Sequence, residues 1–103
     1  MHAVFIEVNA DGSLIDQARE MLPKTAVPRA QEAGAKGGYW LSPRGGRGLA
    51  VVLFDSEDEA QKMADQMKPG DPAGTVPGVT FKTVEVREVL ASFDRSPLNT
   101  RLV

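Results

Sequence analysis

The run Leu49-Ala50-Val51-Val52-Leu53-Phe54 constrains this chain most. Six consecutive apolar residues rich in Val and Leu, bounded by Gly48 and Asp55, read as a central strand buried on both faces. Alternation sets Leu49, Val51 and Leu53 on one face and Ala50, Val52 and Phe54 on the other. Any fold available to the chain must cover both.

The neighbouring segments arrange themselves around that strand. Ala3 to Val8 is dominated by β-branched and aromatic residues and predicts strand one. Asn9-Ala10-Asp11-Gly12 is a turn cluster. Ser13 then offers a helix N-cap with Asp16 three residues on, and Leu14, Ile15, Ala18, Met21 and Leu22 follow at helical spacing. Pro23 and Pro28 each lack an N–H and crowd the carbonyl four residues back. The segment therefore predicts either a kinked helix over 13–33 or two pieces broken near 22–25, with Gly34 as the stop. Gly37 to Ser42 is strand two, Pro43-Arg44-Gly45-Gly46-Arg47 a hairpin loop, and 48–54 strand three.

Ser56 and Glu59 form a capping box for the second helix, whose apolar stripe is Ala60, Met63, Ala64 and Met67. A Pro/Gly loop spans 69–78. Val79 to Val89 alternates as strand four, with Thr80, Lys82, Val84, Val86 and Glu88 on one face and Phe81, Thr83, Glu85 and Arg87 on the other. The tail from 90 to 103 lacks a pattern, although Leu98, Leu102 and Val103 point to docking.

The order β-α-β-β-α-β, with two right-handed crossovers joined by a hairpin, predicts an α+β ferredoxin-like sandwich over 1–89: a four-stranded antiparallel sheet with both helices on one face. In a chain of 103 residues, 42% of them hydrophobic, no further helix is left to cover the second apolar face. A bare face of several hundred Å² is unusual on a monomer, so a second copy is expected there.

The blocks GGYWLSP, GLAVVLFDSEDEAQKMA, VPRAQEAG and VPGVTFKTVEVREV together resemble the dimeric α/β-barrel superfamily, and within it the antibiotic-biosynthesis-monooxygenase-like domains. The resemblance spans about residues 3–89 and implies the same sandwich and a homodimer. It also implies a cofactor-independent oxygenase or isomerase acting on a small aromatic molecule, held by Asn, Trp and Tyr side chains. Asn9 at the end of strand one, Trp40 and Tyr39 are the residues that correspond: Asn9 and Trp40 as catalytic, Tyr39 and Trp40 as substrate-binding. Trp40 falls on strand two, whereas the family's catalytic Trp lies on strand three. The haem-degrading branch uses a His on the second helix, where this chain has none.

Other readings stand beside these. Tyr39 and Trp40 also fit plain core or interface packing. Arg44 and Arg47 around Gly45-Gly46 fit a hairpin turn as well as an anion- or RNA-binding run. Asp55, Glu57, Asp58 and Glu59 fit a metal cluster but also the positive end of a helix dipole. One His, no Cys and a net charge of −2 argue against a zinc site, a His-dependent triad, nucleic-acid binding and anionic membranes. The N-terminus lacks a basic signal-peptide region, and no segment approaches a membrane span, so a cytoplasmic location is expected. Two functions follow: an oxygenase or isomerase, or a non-catalytic module that binds a small ligand or another protein.

Overall fold

A computed structural model describes residues 1–93. The expected docking of Leu98, Leu102 and Val103 lies outside the described residues. The order is β1 (His2–Asn9), a 3-10 turn (Gly12–Leu14), α1 (Ile15–Glu32), β2 (Gly37–Arg44), β3 (Arg47–Phe54), α2 (Glu57–Asp65) and β4 (Thr80–Glu88). The strands form one antiparallel sheet in the order β2-β3-β1-β4, and the fold is ferredoxin-like. None of the described helices is long and apolar enough to cross a membrane.

The apolar run occupies β3, one of the two inner strands, between β1 and β2. Ala50, Val52 and Phe54 face the helices and are buried, while Leu49, Val51 and Leu53 on the opposite face are half-buried. Val4 and Ile6 of β1 lie opposite Val52 and Ala50 on the helix side. Val4, Val52 and Phe54 are fully buried, each contributing about 1.5–3 kcal/mol of transfer free energy by area. Ala60, Met63 and Met67 close this core from above.

Helix α1 is one continuous helix that carries both Pro23 and Pro28. Pro23 is exposed, so water can take the Arg19 carbonyl it leaves unbonded. Ser13 is not the cap. Asp11 caps the 3-10 turn by accepting a hydrogen bond from the Ser13 N–H at 2.9 Å, a contact that also holds its carboxyl below the usual range. The helix ends as expected at Gly34, where φ is +98°. Gly34 N–H donates to Gln31 and Ala35 N–H to Ala30, the paired bonds of a Schellman motif.

The hairpin is tighter than a five-residue loop. Gly45 and Gly46 alone make the turn, with φ of +63° and +78°, and Arg44 and Arg47 pair across it. Two consecutive positive φ values are the requirement of a type I′ turn, which matches strand twist. His2 pairs with Phe54 and Glu88 at the start of β1.

Strand β4 departs from simple alternation. The register against β1 shifts between Glu7 and Val8, so Phe81 sits opposite Val8 while Val84 and Val86 sit opposite Ile6 and Val4. Phe81, Val84 and Val86 therefore all join the helix-side core, and Thr83, Glu85 and Arg87 face away from it. One extra residue in a strand is enough to do this.

Candidate functional site

Trp40 lies opposite Ala50 and faces the helices, packed against the core. Its indole folds back over Gly38, where a Cβ would sit 2.9 Å from Cη2 and 3.0 Å from Cζ3. A side chain at position 38 would therefore occupy the ring's place. Beside the indole, between sheet and helices, is a cavity of about 90 Å³. One water needs roughly 10–15 Å³ of such space, so the cavity holds several waters or part of a small organic molecule.

The lining comes from every layer. Leu14 at the end of the 3-10 turn and Ala18, Leu22 and Ala26 of α1 recur at four-residue spacing and present one stripe. Ile6 and Val8 contribute from β1, Ala50 from β3, and Met63 and Met67 from α2 and the turn beyond it. Ala73, Val76, Val79 and Phe81 close one side. The loop that carries the first two is ordered by backbone pairing: Gly70 and Phe81, Phe81 and Asp71, and Ala73 and Val79 are joined by bonds of 2.8–3.0 Å.

Helix α1 holds that loop through two polar side chains. Thr25 Oγ1 donates to the carbonyls of Met21 and Thr75 at 2.8 and 3.2 Å. Arg29 donates through Nη1 to Ala73 at 2.8 Å and through Nη2 to Gly74 at 3.3 Å. Among the described residues, Arg29, Thr75 and the Trp40 indole are the polar side chains on the lining, and Arg29 carries its sole charge. No carboxylate, imidazole or phenol among the described residues borders the space. The walls of this space are therefore mainly apolar, with a few polar groups among them.

A second space, a groove of about 330 Å³, lies outside Trp40 and is lined by Val27, Ala30, Gln31, Ala35, Lys36, Gly37 and Gly38. It is larger, but lysine, glutamine and bare backbone form much of its wall. The first space, lined by apolar side chains of both helices and the sheet, is the better candidate site. Trp40 borders both and separates them.

Of the residues singled out by sequence, the structure brings Trp40 alone to the cavity. Tyr39 lies opposite Val51 on the open sheet face and is 63% exposed. Asn9 pairs with Arg47 at the end of β1, and its Nδ2 donates to Thr80 Oγ1 at 3.2 Å. Period-two alternation sends Tyr39 and Trp40 to opposite faces, so one protomer does not gather the three around one space. Arg29, Val76, Val79 and Met63 were not among the sequence candidates. Val76 and Val79 are apolar residues inside a Pro/Gly loop, which is a usable signal; nothing in the sequence marks Arg29.

The open face has its own chemistry. Phe5, Leu41, Leu49, Val51, Leu53 and Tyr39 form its apolar side across β1, β3 and β2. Toward β4 it turns polar. Glu7, with 13% of its side chain exposed, accepts hydrogen bonds from Arg47 Nε and from Thr83 Oγ1 at 3.2 Å, with Lys82 Nζ 3.8 Å away. The Arg47 bond, with Thr83 and the two cations, holds the Glu7 carboxyl below the ordinary range against the opposing effect of burial.

At the α2 terminus Ser56 Oγ accepts from Glu59 N–H at 3.2 Å and donates to Glu59 Oε1 at 3.3 Å. The capping role accounts for these acidic residues. Among the described residues no group of three or more His, Cys, Asp or Glu side chains stands together as a metal site.

No family model matches the chain, and no curated protein matches it. Two solved structures resemble it in fold. One is a protein of unknown function from Nitrosomonas europaea, 19% identical, with a TM-score of 0.57 over 92% of this chain and 94% of that one. The other is a dimeric ferredoxin-like protein from an uncultured marine organism, 14% identical, with a TM-score of 0.56 over 91% of this chain and 98% of that one. The class these define is the ferredoxin-like α+β fold.

Proposed function

We propose that this protein is a homodimeric binding module that holds a small, largely apolar aromatic molecule in the cavity beside Trp40. The cavity carries the reading: its walls are mainly apolar, and Trp40 and Phe81 place aromatic rings on them. Binding is favoured over catalysis because the described residues of the lining offer no group that gives or takes a proton near neutral pH. Dimerisation is supported by the apolar side of the open face and by the dimeric ferredoxin-like protein of similar fold. The protein is placed in the cytoplasm in this reading.

The second reading is the cofactor-independent oxygenase or isomerase of the monooxygenase-like domains, favoured by a Trp at the cavity wall. Asn9 and Trp40 are then the catalytic pair and Tyr39 a substrate contact. Asn9 and Tyr39 would act from the open face, where a partner protomer would sit.

Titration with hydroxylated polycyclic aromatics tests both, because the single Trp makes emission changes unambiguous in origin. Altered Trp40 emission without oxygen uptake supports the binding module. Uptake abolished by Asn9→Ala supports the oxygenase. No response of Trp40 to any of these compounds would sink both. For the dimer, Val51→Asp places a charge on the open face and should give a monomer or an unfolded chain by sedimentation, whereas the unmutated protein sediments as a dimer. An unmutated chain that is monomeric at micromolar concentration removes the dimer from the reading.

A further inference from the structure

We infer that the ligand of the Trp40 cavity is a monoanion, a small aromatic body carrying one carboxylate, seated with its acid group against Arg29. This rests on the cavity reading above and adds the charge of the ligand to it. Among the described residues, Arg29 is the one charged side chain on the lining, and no acidic side chain borders the space. None of the ion pairs among the described residues includes Arg29. Its two bonds go to the neutral carbonyls of Ala73 and Gly74.

A guanidinium has five N–H donors in a rigid planar fork. Two of them are used on the loop, which fixes the plane of the group and leaves the remaining donors for a ligand. The loop reaches the guanidinium because position 74 is glycine: φ there is +75°, and a Cβ would stand 3.2 Å from Nη2. The cation is thus held at the rim of an apolar space without a carboxylate of its own. Arginine stays charged at any physiological pH and matches a carboxylate's geometry. Arg29 is exposed, so beside a neutral ligand its charge is left to water, whereas a cationic ligand would meet repulsion and a carboxylate a charge-assisted partner. A single arginine with no second cation on the lining suits one negative charge better than a phosphate dianion.

Calorimetric titration of the full chain with naphthoate, naphthamide and naphthylmethylamine tests this. The three share an aromatic body and differ in charge. Naphthoate should bind roughly tenfold more tightly than naphthamide, the low end expected for a charge-assisted bond partly exposed to solvent. The amine should bind most weakly, and added salt should weaken naphthoate alone. Arg29→Gln should reduce naphthoate to the level of naphthamide, and Arg29→Lys should keep part of the preference. Equal affinity for acid and amide in the unmutated protein overturns the charge assignment while the cavity reading stands, and this comparison does not depend on how the variants fold. Failure of all three compounds to bind overturns the cavity reading itself.

Discussion

Replacing Gly38 by Ala tests whether the Trp40 indole is held where the cavity needs it. The added Cβ would lie 2.9 Å from Cη2, 3.0 Å from Cζ3 and 3.4 Å from the Val51 carbonyl oxygen. Carbon atoms at rest against each other sit about 3.5–4.0 Å apart, so the ring must retreat by roughly half an ångström or more. Overpacking of this kind costs about 1–3 kcal/mol. Losing a glycine from a strand returns about 0.5–1 kcal/mol. The net expectation for Gly38→Ala is a loss of up to about 2.5 kcal/mol, with a shift in Trp40 emission. The crowded atoms belong to the six-membered ring of the indole, whose far edge phenylalanine lacks. In a Trp40→Phe background the same alanine should therefore be neutral or stabilising. Urea titrations of the four proteins at one fixed concentration, followed by far-ultraviolet circular dichroism, give the coupling as a double-mutant cycle. Equal costs in both backgrounds, within about 0.3 kcal/mol, together with unmoved emission, would refute the packing of Trp40 on Gly38.

Ser56→Ala should cost about 0.5–2 kcal/mol through the lost cap on Glu59 N–H, and Ser56→Asp should restore most of it; a change of only a few tenths in urea titration would show that another group serves the α2 terminus. Glu7 has a folded-state pKa below its ordinary value because Arg47 bonds to it. Its contribution is complete above the unfolded value of about 4.3 and is lost as pH falls through the lower folded value. Thermal midpoints measured against pH should therefore fall less steeply below about pH 4 in Glu7→Gln than in the unmutated protein, and parallel curves would refute the role given to the Arg47–Glu7 pair.

The parts of the fold that are legible in the sequence are those decided locally. The 49–54 run marked an inner strand because apolar residues on both sides of a strand have few alternatives. Ser56 and Gly34 marked helix ends because a cap side chain and a left-handed backbone each satisfy specific orphan groups. What was illegible depended on contacts between distant segments. Whether Pro23 and Pro28 break α1 is settled by solvent reaching the freed carbonyls and by packing on the sheet. The β4 bulge is settled by β1: Phe81 and Val84 share a face only because the strand slips by one residue against Glu7 and Val8.

The site follows the same division. Trp40 was identifiable as a candidate because it is the chain's single Trp, yet its role comes from Gly38 beneath it and the α1 stripe opposite. Alternation along β2 already separates Tyr39 from Trp40, so once β2 was read as a strand the two could not share a pocket wall within one protomer. Residues that do share the wall are drawn from several segments of the chain, and Arg29 and Ala73 are 44 positions apart. Loop 69–79 looks structureless in sequence because its order rests on Asp71 and Ala73 pairing with β4 and the residue before it, and on Arg29 and Thr25 gripping its carbonyls. A cation that is bonded only to carbonyls at the edge of an apolar cavity is a property of that juxtaposition. It becomes visible when the loop and helix are seen together, and it gives the cavity a preference in charge as well as in shape.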